Sequence, residues 1–202
     1  MIASVMQNVF VKIYVILRLN LIFWLFTLMG GVVLGIGPAL RTVMEQFMDN
    51  RYEYQAYHFK DAWQKYKQCF VTANLHFYCF VLVFAILAYN LYLSTQIKTF
   101  WIVFVQFILI FALLLTFVTG AFCLSILSRY ATDFKTALKL AFMQFFMSFK
   151  DLIVYLIGIV VLGVVTKLWP GFILFITIAA FLIWTEHQSK KWYSQIDARL
   201  NN

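Results

Sequence analysis

Charged residues are spaced so widely along this chain that the gaps between them outline its elements. Arg18 and Arg41 enclose 22 uncharged residues, Lys67 and Lys98 enclose 30, and Lys98 and Arg129 enclose 30 more. A hydrocarbon core of about 30 Å takes about 20 helical residues. The pattern therefore predicts membrane-spanning helices over about 19–38, 70–93 and 100–128. Two shorter gaps follow, of 15 residues between Asp151 and Lys167 and 18 between Lys167 and Glu186. The stem of Lys167 can lie in hydrocarbon while its ammonium reaches the headgroups, Trp169 suits the interface, and Pro170-Gly171 makes a turn. These residues predict a helical hairpin spanning twice, over about 152–169 and 171–185; a re-entrant pair that only dips into the bilayer fits them as well. The expected fold is an all-α integral membrane protein, one transmembrane domain over 1–202 built as a five-helix bundle.

The polar segments carry a second pattern. Phe59, Ala62, Trp63, Tyr66 and Phe70 share one helical face, with Lys60, Asp61, Gln64, Lys65 and Lys67 around the rest. Phe134, Ala137, Leu138, Ala141, Phe145 and Phe149 repeat the spacing, with Thr132 or Asp133 able to cap the start and Lys135 and Lys139 on the polar face. Two amphipathic interfacial helices are expected, over about 57–68 and 133–149, lying on the cytoplasmic side. Both copies read Phe-Lys-x-Ala followed by Trp63 or Leu138. Convergence on one job, an elbow before the chain enters the bilayer, and internal duplication both account for the echo. Phe59, Lys60, Trp63, Phe134, Lys135 and Leu138 are the candidate partner-docking residues.

Composition agrees with the pattern: the 202 residues are 64% hydrophobic and 12% charged, against about 45–50% and about 25% in soluble domains. With five spans the loops alternate, and the Lys and Arg counts become four on the side of the N-terminus, Lys98 and Lys167, and twelve on the other. The excess marks the cytoplasmic side, which predicts the N-terminus outside and the C-terminus inside the cell membrane. The net charge of +8 fits contact with anionic lipid rather than nucleic acid. Cys69, Cys79 and Cys123 lack metal-ligand spacing and read as reduced packing residues. The N-terminal apolar run ends at Gly37-Pro38, a poor cleavage site, and is expected to remain as the first anchor. The basic-aromatic cluster Lys190, Lys191, Trp192 and Tyr193 reads as a membrane anchor.

No Asp, Glu, Lys or Arg falls at the middle of any predicted span, which argues against ion-coupled transport. Asn20, Thr27, Asn74, Asn90, Gln106, Thr116, Thr119, Ser125 and Thr177 should face the bundle. His76 reads as an interfacial or hydrogen-bonded residue, and Glu186 and His187 as a solvated edge. Gly31 and Gly35 form one GxxxG that permits close helix approach. Zincin, nucleophile-elbow and phosphate-loop motifs are absent. Neither a catalytic residue nor a cofactor or metal site is assigned, and a non-catalytic protein is expected.

Leu19 to Val43, "LNLIFWLFTLMGGVVLGIGPALRTV", resembles the signature of the YesL-like family of bacterial integral membrane proteins, a family without an assigned function. The resemblance rests on Leu19-Asn20, Trp24 and Gly37-Pro38-Ala39, then on Phe59, Trp63 and Phe70, and later on Ser128-Arg129-Tyr130. Val32 and Gly35 stand where the family often has a Pro and a Thr. The resemblance implies an accessory role in carbohydrate import, because such proteins are commonly encoded beside carbohydrate ABC importers. It also marks Asn20, Trp24, Gly37, Pro38, Ala39 and Arg129 as structural motif residues. Three functions are carried forward: an accessory subunit that binds the importer's permease, a stand-alone transporter or channel for a small sugar, and a membrane enzyme of envelope glycan metabolism.

Overall fold

The computed structural model describes the backbone of residues 2–200 and the side chains of residues 6–198. Seven α-helices follow one another: α1 Ile2–Met29, α2 Ile36–Asn50, α3 Phe59–Ser94, α4 Ile102–Arg129, α5 Phe134–Met147, α6 Phe149–Leu168 and α7 Ile178–Leu200, the last preceded by a π-helical turn, Ile173–Thr177. Among the described residues there is no strand. Four helices are long and apolar enough to cross a membrane: α1 from Met6, α3, α4 and α6.

Two apolar cores hold the bundle. In the first, Val15, Leu19, Ile22 and Phe26 of α1 meet Ala39, Val43, Met44 and Phe47 of α2, together with Ala179 and Leu182 of α7. In the second, Val118, Phe122 and Ile126 of α4 meet Ala137, Ala141 and Phe145 of α5, Tyr155 of α6 and Tyr193 of α7. Beyond these cores α3 and α4 continue as a two-helix hairpin, and Leu82, Phe84, Ile86, Tyr89, Phe104, Phe107 and Ile108 are exposed along it. Gln106 donates to the Ser94 carbonyl and closes its tip.

Several boundaries differ from the sequence pattern. The span expected over 19–38 breaks after Met29, because Gly31 (φ 72°) and Val32 (φ 64°) reverse the chain. A Cβ on Gly30 would sit 2.4 Å from Gly35 Cα, and one on Gly35 would sit 2.2 Å from the Thr27 carbonyl oxygen. These glycines serve one close chain reversal rather than a contact between two long helices. Gly37-Pro38-Ala39 therefore opens α2 instead of ending a span, and Pro38 falls in a first turn, where its missing N–H is tolerated. α2 itself was not expected, yet Ala39, Thr42, Val43, Met44, Gln46 and Phe47 are all buried.

The interfacial helix expected over 57–68 is not a separate element. α3 runs without a break for 36 residues, since no Gly or Pro interrupts it and an unbroken helix keeps its backbone groups bonded at the edge of the hydrocarbon. The segment expected over 133–149 does form its own helix, α5. Asp133 accepts from the Thr136 N–H at its start, and Ser148, extended at φ −145°, separates it from α6.

The segments bearing Lys12 and Arg18 contact the loop between α2 and α3. Arg18 donates from Nη1 to the Tyr54 carbonyl at 3.1 Å and from Nη2 to the Tyr57 carbonyl. Lys12 stands over the Tyr52 ring, and Tyr14 packs edge-on against Tyr54. Groups in contact share a side, so the first polar end of α1 joins the α2–α3 loop. α1 and α7 are antiparallel, Asn20 lying at Ala179 and Trp24 at Ile173, which puts the N-terminal end of α1 with the C-terminal end of α7. The structure thus groups at one end of the bundle two helix ends that the sequence reading set on opposite sides of the membrane.

Candidate functional site

The six candidate docking residues do not form one face. Phe59 is half exposed and packs at a tilt on Phe26, Lys60 is exposed, and Trp63 is half-buried, stacked on Tyr66 at 5.5 Å. Phe134 instead stacks flat on His76, 4.4 Å between centroids, and meets Phe80 edge-on. Lys135 and Leu138 project outward on α5. His76 lies 17 residues beyond Phe59 on the same helix, a separation of about 25 Å at 1.5 Å per residue. The two copies thus decorate different parts of the molecule.

The motif residues Asn20 and Trp24 are one turn apart on α1 and converge on α7. Asn20 Nδ2 and Trp24 Nε1 both donate to the Ile173 carbonyl, at 3.0 and 3.1 Å, and Asn20 Oδ1 accepts from the Ala179 N–H at 3.0 Å. A π-turn displaces the regular helical hydrogen bonds, and in an apolar surround a backbone group without a partner is costly. One buried amide supplies both a donor and an acceptor where the register shifts. Gly37 packs against α3, where an added Cβ would lie 3.0 Å from the Ala73 carbonyl oxygen. Arg129, the remaining motif residue, bonds Asp197 at 2.9 Å and covers the Tyr193 ring, while Tyr130 donates to the other oxygen of Asp197 at 2.6 Å. The motif residues bind elements of this chain to one another.

Glu186 corrects the reading of that segment as a solvated edge. It is 1% exposed, with Oε1 2.6 Å from Nη1 of Arg51 and Oε2 3.9 Å from Lys190 Nζ. Arg51 ends α2 at φ 49°, a conformation that costs a non-glycine residue energy. Its backbone N–H bonds Phe47 and its carbonyl accepts from the Tyr57 hydroxyl. Burial of that hydroxyl pushes its pKa up from the ordinary tyrosine value, with the nearby Tyr52 adding to the rise and Arg51 and Arg18 opposing it. The signal in the sequence was the apolar spacing Ala39, Val43, Met44, Phe47, which marks α2 as a packed helix and its end as a buried junction.

Of the polar residues expected to face the bundle, Asn20, Thr27, Asn74, Thr119 and Ser125 are buried. Asn90 is exposed and instead donates to the Ile86 carbonyl one turn back. The Cys69 and Cys123 thiols are buried and Cys79 is exposed, all three free. Among the described residues no cluster of His, Cys, Asp and Glu could hold a metal ion.

An elongated cleft of about 460 Å³ lies between α2, α3, α4 and the start of α7. Phe77, Phe80, Phe84, Phe117 and Phe181 line it, with Arg41 and His76 at one end and Ala85 and Thr116 at the other. Arg41 donates from Nε to Glu45 at 2.8 Å and from Nη2 to the Leu127 carbonyl at 3.1 Å. His76 Nδ1 is buried and has no hydrogen-bond partner among the described residues.

No curated protein and no solved structure matches the chain. Residues 16–91, which run from α1 through α2 into α3 and carry Asn20, Trp24 and Gly37-Pro38-Ala39, match the family described as "Protein of unknown function, DUF624".

Proposed function

We propose that the protein is a non-catalytic accessory subunit of a carbohydrate ABC importer, binding the permease to stabilise or regulate it. The observation that favours binding over transport is the character of the large cleft. Its walls are almost wholly apolar, whereas a path for a sugar needs polar groups to replace the water on each hydroxyl. The permease as partner rests on the family resemblance. The exposed patch Phe59–Lys60, with Trp63 behind it, is the docking surface we assign. The second copy, Phe134, Lys135 and Leu138, stands too far away to share it.

The orientation proposed for the membrane places both termini in the cytoplasm. With the polar end of α1 beside the α2–α3 loop, fourteen of the sixteen Lys and Arg fall toward one end of the helices and only Lys98 and Lys167 toward the other. Such an excess belongs on the cytoplasmic side. An even number of crossings follows, the start of α7 returning the chain after α6.

Affinity capture in mild detergent tests the partner. The wild-type chain should bring down permease subunits, and Phe59→Ala combined with Lys60→Glu should lose them while the protein stays in the membrane. Undiminished capture would reject this dock. Sugar uptake by liposomes holding the purified chain alone would reject the accessory role altogether. For the orientation, cysteines placed at Lys12 and Lys135 should be shielded from an impermeant label in intact cells and one at Lys98 should react; labelling at Lys12 would overturn the even count.

A further inference from the structure

We infer that the cleft between α2, α3 and α4 is a phospholipid site, taking one acyl chain along its length and the phosphate at the end formed by Arg41 and His76. This goes beyond the accessory role and holds whether or not a permease is the partner. Three observations carry it.

The first is length. The cleft follows α3 from Ala73 to Ala85 and α4 from Leu127 back to Thr116. At 1.5 Å per residue those stretches are about 18 and 16 Å long, and half of a hydrocarbon core of about 30 Å is about 15 Å. The cleft is thus one leaflet deep. Its Arg41 end lies beside Leu127, two residues from Arg129 at the charged end of α4, and its far end stops in the apolar hairpin.

The second is the lining. Five phenylalanines face a volume of about 460 Å³, within the range of about 300–1,000 Å³ typical of small-molecule sites. Gly37 and Gly120 lower the walls where α2 and α4 approach α3; a Cβ at Gly120 would already press on the Phe80 ring at 3.3 Å.

The third is the polar end. Arg41 Nη1 makes no hydrogen bond among the described residues, its other two nitrogens being held by Glu45 and Leu127. His76, stacked on Phe134, brings a buried ring nitrogen without a partner to the same end. Glu45 takes up part of the Arg41 charge, so the site suits a phosphodiester held by hydrogen bonds more than a bare multivalent anion. A phosphate oxygen can accept from both groups.

The test uses the full-length chain, purified and stripped of lipid in detergent, and native mass spectrometry. Palmitoyl-oleoyl phosphatidylglycerol is compared with the diacylglycerol bearing the same chains. One phosphatidylglycerol should remain bound per chain, about tenfold more occupied than the diacylglycerol, equivalent to about 1.4 kcal/mol. Ala85→Trp, an exposed position at the far end, should fill the trough and abolish the adduct while leaving the thermal unfolding midpoint unchanged. Equal retention in that variant would overturn the site. Equal binding of the diacylglycerol would overturn the role of Arg41 and His76. A wild-type dimer that Ala85→Trp dissociates would identify the cleft as a contact between copies and overturn the lipid assignment.

Discussion

The charged end of this molecule and the tip of its α3–α4 hairpin are built on opposite principles. At the charged end Arg18, Arg51, Glu186, Asp197 and Asn20 each satisfy a named group on a distant part of the chain. Along the hairpin the polar contacts stay within one helix, Asn90 to Ile86 and Thr116 to Ala112, except for Gln106 to Ser94 at the tip. Apolar side chains there face outward, and in a bilayer any apolar residue meets an equally apolar neighbour, so few contacts are individually decisive. Tertiary uniqueness is therefore set mainly where water, lipid and protein meet, and the hairpin follows from α-helix formation with one polar tie at its tip.

The sharpest test of that contrast is the Arg51–Glu186 pair. Removing one partner leaves a charge buried, and such losses run to about 3–5 kcal/mol. Because Arg51 is 38% exposed and Lys190 is near, Arg51→Ala should cost about 3 kcal/mol, toward the low end of that range. Arg51→Ala combined with Glu186→Leu should recover most of it. On the hairpin, Phe107→Leu at an exposed position should change stability by less than about 0.5 kcal/mol. Denaturant titration in one detergent compares them, and a hairpin variant as costly as Arg51→Ala would erase the distinction between the two ends.

Asn20→Ala comes next. It removes the acceptor of the Ala179 N–H and one of two donors to the Ile173 carbonyl. An orphaned buried polar group costs about 1–3 kcal/mol, so a loss of about 2 kcal/mol is expected, with faster amide exchange at Ala179. Unchanged exchange there would mean that the π-turn satisfies itself.

These residues show what could be read from the chain beforehand. The helical, membrane-spanning character was plain from the charge-free runs, because hydrocarbon forbids unpaired backbone. The two Phe-Lys-x-Ala copies were also visible, but their fates were not. Phe59 begins a helix that continues into the apolar run, whereas Phe134 begins one that Ser148 interrupts. Local pattern specifies a face, and the next breaker decides whether the face belongs to an elbow. The contact of Lys12 and Arg18 with the α2–α3 loop was hidden for a related reason. α2 carries Arg41, Glu45 and Asp49 and so looked like loop, and counting it as loop set Lys12 and Arg18 opposite the residues they touch. Asn20 and Trp24 stood out through the family resemblance, but their partner, a π-turn about 150 positions later, has no signature in the sequence.

Val32 offers a gain rather than a loss. It sits at φ 64° and ψ −68°, with the Val33 N–H bonded to the Gly31 carbonyl at 2.8 Å across it. This is the strained form of the γ-turn, and a β-branched residue there is an outlier. Strain of this kind is worth about 1–3 kcal/mol, part of which glycine gives back through the freedom of the unfolded chain. Val32→Gly should therefore raise stability by about 1 kcal/mol, read as a higher midpoint in the same titration. A lower midpoint would show that the exposed Val32 side chain contributes more than its backbone costs, and that the α1–α2 reversal is held by apolar contact as the hairpin is.

The smallest effect is at the edge of the charged end, where Asp197 ties the last turns of α7 to the α4–α5 corner. The hydrogen bond from Tyr130, and then that from Arg129, hold its carboxyl below the usual carboxylate pKa, with partial desolvation opposing them. A lowered native pKa means that the tie is complete above the unfolded value of about 3.9 and is lost as pH falls through the native value. Asp197→Ala should accelerate proteolysis of the α7 C-terminal turns at neutral pH, and the difference from wild type should close as the pH falls through the lowered native pKa. The carboxylate is surface-exposed and its pairs are screened by salt, so the same difference should narrow at high ionic strength, whereas the Arg51→Ala penalty, set by a buried charge, should persist. A salt response of equal size at both positions would place Glu186 in contact with solvent and remove the physical ground for ranking the two.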